Sequence, residues 1–212
     1  LKYGIHKIFH RNTKYFVIIR NPIHRVLSTY YYVLNQINNP QNLSTSNNQM
    51  TIYDFVQSGV NPFLINGQTQ LIAGKTGKIN DPLIRSEELF LKAKYNIDNH
   101  FIFTGITELF DESILLLKNI LNWTTPYYSR ANRTKKKPNY NEISPEIRSF
   151  IKDHNQLDQK LYEAARESLN RKIAAAGSEF QNKVSRFKKK NNIINPLFGY
   201  SRAKRYISKL FR

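Results

Sequence analysis

Two short apolar runs, each followed by a stretch of helical periodicity, organise the first 121 residues of the chain. Residues 14–19 and 100–104 are rich in β-branched and aromatic side chains and show no alternation. Such runs are typical of strands that are buried on both faces of a parallel sheet. Apolar positions then recur at helical spacing over residues 23–36 and 109–121. The alternation of strand and helix predicts an α/β fold, with a parallel sheet flanked by helices.

Capping and stop signals predict the remaining elements. Four further helices are expected over residues 52–58 and 87–96, from Ser144 onward, and over residues 156–176. Gly105 is expected to end the second strand. Residues 61–85 show no regular period and are predicted to be irregular.

Composition limits the chemistry that is open to the chain. Its 212 residues are enough for one domain, and an apolar fraction of 40% is typical of a globular chain. No apolar run reaches the roughly 18–20 residues of a membrane span. The absence of cysteine excludes disulfides, thiolate metal ligands and a cysteine nucleophile. No His, Asp or Glu cluster has metal-ligand spacing, so no metal cofactor is expected.

The charge is strongly positive and unevenly distributed. The net charge is +18, and residues 171–212 hold 12 Lys/Arg against a single acid, Glu179. We therefore divide the chain into a domain over residues 1–177 and a basic amphipathic tail over residues 178–212. Such a tail suits anionic polymers, nucleic acid or peripheral contact with a membrane surface. The plainer interpretation, which we prefer slightly, is a solvated and partly disordered extension.

The candidate chemistry lies in the first strand, turn and helix. Arg20 stands at the carboxyl end of the strand, where open α/β sheets bind ligands, and Ser28 lies two turns into the next helix. An arginine and a hydroxyl in these places can converge on one phosphate, and Arg25 shares a helix face with Ser28. Alternatively, Arg20 pairs with a carboxylate and Ser28 only packs. Spacing alone leaves both possibilities open.

Residues 15–32, YFVIIRNPIHRVLSTYYY, closely resemble the 3′-phosphate-binding motif of sulfotransferases that use 3′-phosphoadenosine 5′-phosphosulfate (PAPS). The family pattern is an apolar strand, Arg-(Asp/Asn)-Pro, two residues, Arg, two residues, Ser and then aromatics. Residues 103–108, FTGITE, and residues 154–162 are similar to two further family segments. The resemblance covers roughly residues 1–170. It indicates the carbohydrate branch, which includes heparan 2-O-sulfotransferases and their bacterial relatives.

This resemblance implies a P-loop NTPase-like fold and transfer of a sulfuryl group from PAPS, as co-substrate, to a hydroxyl or amine of a carbohydrate. The basic surface would help to hold an anionic glycan. The implied donor-binding residues are Arg20, Ser28, Arg133, Thr134 and Lys136. Asn66 and Gln68 resemble a stretch near the acceptor site, although an ordinary polar turn is an equally open interpretation.

The family's Pro-Lys-x-Gly-Thr segment, which holds the 5′-phosphosulfate at a helix N-terminus, has no counterpart in this sequence. We therefore expect a domain that is truncated at its N-terminus, with its main catalytic base upstream of Leu1. His6 is a possible substitute base, although a lone histidine in a turn is more often structural. These 212 residues could then be inactive by themselves.

Two rival functions remain at this stage. One is a non-catalytic sulfotransferase-like module that binds anionic polymers or nucleic acid. The other is a nucleotide-dependent phosphotransferase that shares the fold. The sequence specifies neither the oligomeric state nor the compartment, which would be the cytoplasm for a bacterial chain and the Golgi lumen for a eukaryotic one.

Overall fold

A computed structural model describes residues 3–4, 7, 13–37, 50–128 and 140–194. The strands are β1 (Tyr15–Ile19) and β2 (Phe101–Ile106). The helices are α1 (Pro22–Ile37), α2 (Ile52–Gln57), α3 (Gly67–Ala73), α4 (Glu87–His100), α5 (Phe110–Leu121), α6 (Pro145–His154), α7 (Gln156–Ala175) and α8 (Gly177–Ile194). Short 3₁₀ turns lie at Pro62–Leu64, Pro82–Arg85, Thr107–Leu109 and Tyr140–Glu142. None of these described helices is both long enough and apolar enough to span a membrane.

Within the described residues the sheet consists of β1 and β2, which pair in parallel from Phe16 opposite Phe103 to Ile19 opposite Ile106. This arrangement confirms the predicted α/β class and the parallel sheet. The register brings the carboxyl ends of both strands to one edge. Residues that follow β1 and β2 in sequence therefore become neighbours in space.

Gly105 does not end β2, as the sequence analysis predicted, but lies inside it. A Cβ atom at this position would stand 2.7 Å from Ile18 Cδ1 and 2.7 Å from Ser113 Cβ. The missing side chain lets α5 pack directly on the strand. There the Ser113 hydroxyl accepts the N–H of Ile106 at 3.1 Å.

Residues 61–85 are also more regular than predicted, because they contain α3. Five of the seven residues of this helix are buried, namely Gly67, Thr69, Gln70, Ile72 and Ala73. Two of these buried residues are polar, and Gly67 has no side chain. Hydrophobic periodicity is therefore weak, and the prediction of an irregular segment is wrong for residues 67–73.

Two apolar clusters hold the elements together. The first lies between the sheet and α3, α4, α5 and α7, with Ile19, Phe103, Leu117 and Leu169 among its members. The second joins α1 to α2 and α6 through residues such as Val26, Phe55 and Ile151. Because α1 belongs to the second cluster and β1 to the first, the turn between them is fixed from both sides.

Helix α8 packs onto the domain. Its residues Phe180, Val184 and Phe187 are buried in a cluster with Leu115 of α5. Lys188 forms an ion pair with Glu112 at 2.7 Å, and the Asn191 side chain accepts the N–H of Tyr128 at 2.9 Å. The predicted solvated extension is therefore wrong for residues 178–194. Residues 195–212 lie outside the described part of the chain, and the boundary at residue 177 stays a prediction.

Candidate functional site at the carboxyl ends of the strands

The edge of the sheet is built from two turns, one after each strand. Asn21 caps α1, since its Oδ1 accepts the N–H groups of Ile23 at 3.0 Å and His24 at 3.2 Å. Asn and Asp both provide this side-chain oxygen, so either residue of the Arg-(Asp/Asn)-Pro pattern can cap the helix. The Asn21 N–H donates to Glu108 Oε1 at 3.1 Å, which joins the turn after β1 to the turn after β2.

The backbone of Arg20 is held by the side chain of Gln68. The Arg20 N–H donates to Gln68 Oε1 at 2.8 Å, and Gln68 Nε2 donates to the Arg20 carbonyl at 2.8 Å. Gln68 thus satisfies both backbone groups that the end of β1 would otherwise leave unpaired. The direction in which the Arg20 side chain leaves the sheet is fixed by these two bonds.

The guanidinium of Arg20 is half-buried and forms no hydrogen bond or ion pair with any described residue. Burial lowers the pKa of Arg20, and the Glu108 carboxylate acts in the opposite direction. The half-buried hydroxyl of Ser28 likewise has no hydrogen-bond partner within the described ranges. The alternative in which Arg20 pairs with a carboxylate is not seen as an ion pair among the described residues, although Glu108 acts on its charge, and the planar set of donors remains available for an oxyanion.

Arg25, in contrast, belongs to a buried polar network through both terminal nitrogens of its guanidinium, while its buried Nε has no hydrogen-bond partner among the described residues. Its guanidinium donates to the carbonyl of Phe63 and to Asn155 Oδ1, and it lies 3.3 Å from Asp158 Oδ2. Burial lowers the pKa of Arg25, and the Asp158 carboxylate opposes that shift. Asp158 is fully buried and accepts the backbone N–H of Thr69 at 2.8 Å, so the network fixes the start of α3.

Asn66 belongs to the same network and not to an accessible surface. It is 2% exposed, and its backbone is left-handed, with φ of 49°. Its Oδ1 accepts the N–H groups of Leu157 and Asp158 at 3.0 and 3.2 Å, and its Nδ2 donates to the Ile84 carbonyl at 2.8 Å. Both polar atoms of the side chain therefore bind the protein itself, Oδ1 at the start of α7 and Nδ2 in the 3₁₀ turn Pro82–Arg85.

The predicted contact of Asn66 with a sugar is not supported by this placement. Gln68 gives the same result, because both atoms of its amide group bind the backbone of Arg20. In this structure Gln68 therefore holds the backbone of Arg20 at the sheet edge, and Asn66 joins the start of α3 to α7. The side-chain amides of Asn66 and Gln68 thus form hydrogen bonds within the protein, as is usual for buried polar groups.

Sequence reasoning missed a group of residues beside Arg20. His24 Nδ1 lies 3.5 Å from Glu108 Oε1, and its ring packs edge-on against Tyr140 with centroids 5.0 Å apart. The pKa of Tyr162 is raised to about 12, first by burial and then by the Glu108 carboxylate, which accepts a hydrogen bond from the Tyr162 hydroxyl. The sequence signals were positions alone: His24 lies one turn after Arg20 inside the motif, and Glu108 and Tyr162 end the two further segments that resemble the family.

Four of the predicted site residues lie outside the described part of the chain, namely His6, Arg133, Thr134 and Lys136. Their roles stay predictions. Within the described ranges there is no group of three or more His, Cys, Asp or Glu side chains that could hold a metal ion.

Comparison with known proteins adds one finding. A family model described as galactose-3-O-sulfotransferase matches residues 2–197. The match includes both strands, the turn that carries Arg20 and the whole of α8. No curated protein matches the chain.

Proposed function

Because the chain belongs to the galactose-3-O-sulfotransferase family, we propose that it transfers a sulfuryl group from PAPS to a hydroxyl of a galactose-containing acceptor. Family membership itself supports a carbohydrate sulfotransferase. The donor, the acceptor sugar and the P-loop-like fold are parts of the proposal. The expected heparan 2-O-sulfotransferase branch is not confirmed, since the matching family is described by galactose.

The proposal rests on one observation, the half-buried and unpaired guanidinium of Arg20 among the described residues. A half-buried guanidinium at the carboxyl end of a parallel strand has its backbone fixed by Gln68, while its own donors have no partner among the described residues. Desolvating a charged group without pairing it costs free energy, which a bound anion recovers. The arrangement suits the 3′-phosphate of the donor, with Ser28 providing a hydroxyl.

PAPS would supply the activated sulfuryl group. Arg20 would bind the 3′-phosphate as a planar fork of N–H donors, and Ser28 would add a neutral hydrogen bond. Their contribution is to fix the donor so that an acceptor hydroxyl can approach the sulfur in line with the leaving phosphate. Arg133, Thr134 and Lys136, from the basic loop, are proposed to complete the donor site.

Calorimetric titration with 3′-phosphoadenosine 5′-phosphate and with ADP tests the donor site. Wild-type protein is expected to prefer the 3′-phosphorylated nucleotide, and Arg20→Ala is expected to weaken that binding by ~1.5–3 kcal/mol. Arg171→Ala is the matched control, because Arg171 is exposed on α7, away from the strand ends. Equal binding of both nucleotides, or unchanged binding in Arg20→Ala, would refute the assignment.

Transfer is then measured directly. Sulfur-labelled PAPS is mixed with galactose-terminated oligosaccharides, and the labelled product is separated from the donor. A product sulfated on galactose supports the acceptor assignment. Donor binding without any transfer to these sugars would leave the donor site in place and overturn the acceptor.

A further inference from the structure

A groove of about 400 Å³ runs between α5 and α8, at a site distinct from the strand ends. Its walls include Leu116, Lys118, Asn119 and Thr125 on one side and Phe180, Lys183, Arg186, Phe187 and Lys190 on the other. This volume falls within the range of small-ligand pockets. The donor site described above uses none of these residues.

The rim of the groove is cationic. Lys183, Arg186 and Lys190 are spaced by three and four residues along α8, so they form one stripe, and Lys118 faces them from α5. Glu179 is the one acid in the lining, and it is paired with Lys183 at 2.8 Å. Arg186 and Lys190 form no ion pair with described residues, so the groove retains a positive potential.

Tyr127 gives the groove an aromatic wall. Its ring stacks on Phe187 with centroids 5.6 Å apart and an interplanar angle of 12°, and Tyr127 is 38% exposed. An aromatic ring with a free hydroxyl edge can contact the apolar face of a sugar and still bind its polar groups. Lys and Arg at the rim would pair with sulfate or carboxylate substituents.

The packing of α8 argues against a membrane as the partner. An amphipathic helix binds a bilayer through its apolar face, but the residues that form this face, Phe180, Val184 and Phe187, are buried against α5. The solvent-facing side of α8 is mainly polar and basic, and Ile193, near its end, is an exposed apolar residue. A partner must therefore be held by charge and by the groove.

We propose that the groove between α5 and α8 binds an anionic segment of a glycan chain, such as a sulfated part of the acceptor or product. This inference rests on the proposed carbohydrate function. The basic residues between 183 and 190 would then bind an anionic glycan. The glycan and the nucleotide donor would bind at two different places on the protein. A chain bound here would stay attached between successive transfers.

Fluorescence anisotropy with a labelled, sulfated galactan oligosaccharide tests the proposal. Arg186→Glu/Lys190→Glu is expected to weaken binding roughly tenfold at moderate salt, because two charge-assisted contacts become repulsive. The matched control, Lys75→Glu/Lys78→Glu, changes the net charge equally at two exposed residues outside the groove and is expected to bind nearly as well as wild type. Asn119→Trp fills the groove at an exposed lining residue without changing the charge, and it should also weaken binding.

Three outcomes would overturn the inference: no binding of the oligosaccharide to wild type, equal loss in both double variants, or equally tight binding of single-stranded DNA of the same charge. Titration with 3′-phosphoadenosine 5′-phosphate separates the two proposals. The groove variants should keep wild-type nucleotide affinity. Nucleotide binding without glycan binding would overturn only the proposal of a glycan-binding groove. Glycan binding without nucleotide binding would overturn only the proposal of a donor site.

Discussion

The side-chain amide of Gln68 pairs with the backbone of Arg20 through two hydrogen bonds of 2.8 Å, one to the carbonyl and one from the N–H. Gln68 is itself held by Asp158, which accepts its backbone N–H at 3.1 Å. The orientation of Arg20, at the end of β1, is therefore set by Gln68 of α3 and, through it, by Asp158 of α7.

Substitution of Gln68 should weaken donor binding without removing any donor-binding group. Gln68→Ala loses two hydrogen bonds to Arg20, and at ~0.5–1.5 kcal/mol for each we expect roughly a tenfold rise in the dissociation constant of 3′-phosphoadenosine 5′-phosphate. Gln68→Glu should also fail, because a carboxylate cannot donate to the Arg20 carbonyl and would face Asp158. The measurement is calorimetric titration of both variants.

The control for this experiment is Gln159→Ala, which removes a partly exposed glutamine side chain of α7 that is hydrogen-bonded to Glu163. It should leave nucleotide affinity unchanged. If Gln68→Ala binds the nucleotide as tightly as wild type, the positioning of Arg20 by Gln68 is wrong.

Arg20→Ala should separate stability from function. We expect the variant to bind the nucleotide more weakly, but its free energy of unfolding should equal or exceed that of wild type, because a half-buried cation without an ion pair among the described residues is removed. Urea denaturation without ligand measures this directly. A clear loss of stability in Arg20→Ala would show that the guanidinium is structural.

The buried pair of Arg25 and Asp158 should behave in the opposite way. Arg25→Met leaves the fully buried Asp158 carboxylate without its cation, and we expect a loss of ~3–5 kcal/mol in the free energy of unfolding. The double variant Arg25→Met/Asp158→Asn should regain part of that loss. A double-mutant cycle by urea denaturation tests the coupling, and additive losses would contradict it.

Gly105→Ala should destabilise the protein by ~1–3 kcal/mol, because the added methyl group overlaps Ile18 and Ser113 and pushes α5 away from β2. Gly177→Ala is the comparison variant. There the backbone is left-handed, with φ of 71°, but no atom lies within 4 Å of the added Cβ, so the cost should be limited to ~1 kcal/mol of backbone strain. Equal and small losses in thermal denaturation would contradict the close approach of α5.

Tyr162 should make the protein less stable at alkaline pH. Burial and Glu108 raise its pKa from 10.0 to about 12, so between these pH values the native state keeps a proton that the unfolded chain has lost. The stabilisation from this group is complete below pH 10.0 and decreases as the pH rises towards about 12. Tyr162→Phe should show a smaller loss of unfolding free energy over that interval in urea titrations, and an unchanged slope would refute the shift.

Local sequence determined the elements that carry the donor side of the site. The buried runs predicted β1 and most of β2, and helical spacing predicted α1, because apolar periodicity reports the face that a segment buries. The residues from Arg20 to Ser28 lie within one strand, turn and helix, so their relation is fixed over short distances along the chain. The capping of α1 by Asn21 is also local, because its partners lie only two and three residues further along the chain.

Tertiary structure decided the parts that depend on distant partners. In the sequence, the side-chain amides of Asn66 and Gln68 suggest sugar binding. In the fold, these two residues contact Asn155, Leu157 and Asp158, which lie 89 to 92 residues further along the chain. Likewise, α8 carries its basic residues between positions 183 and 190, and only its contact with α5 shows which of its faces is covered. Periodicity describes how a segment divides into faces. Which surface meets each face, and whether a polar group finds a partner inside the protein, is settled only when the whole chain has packed.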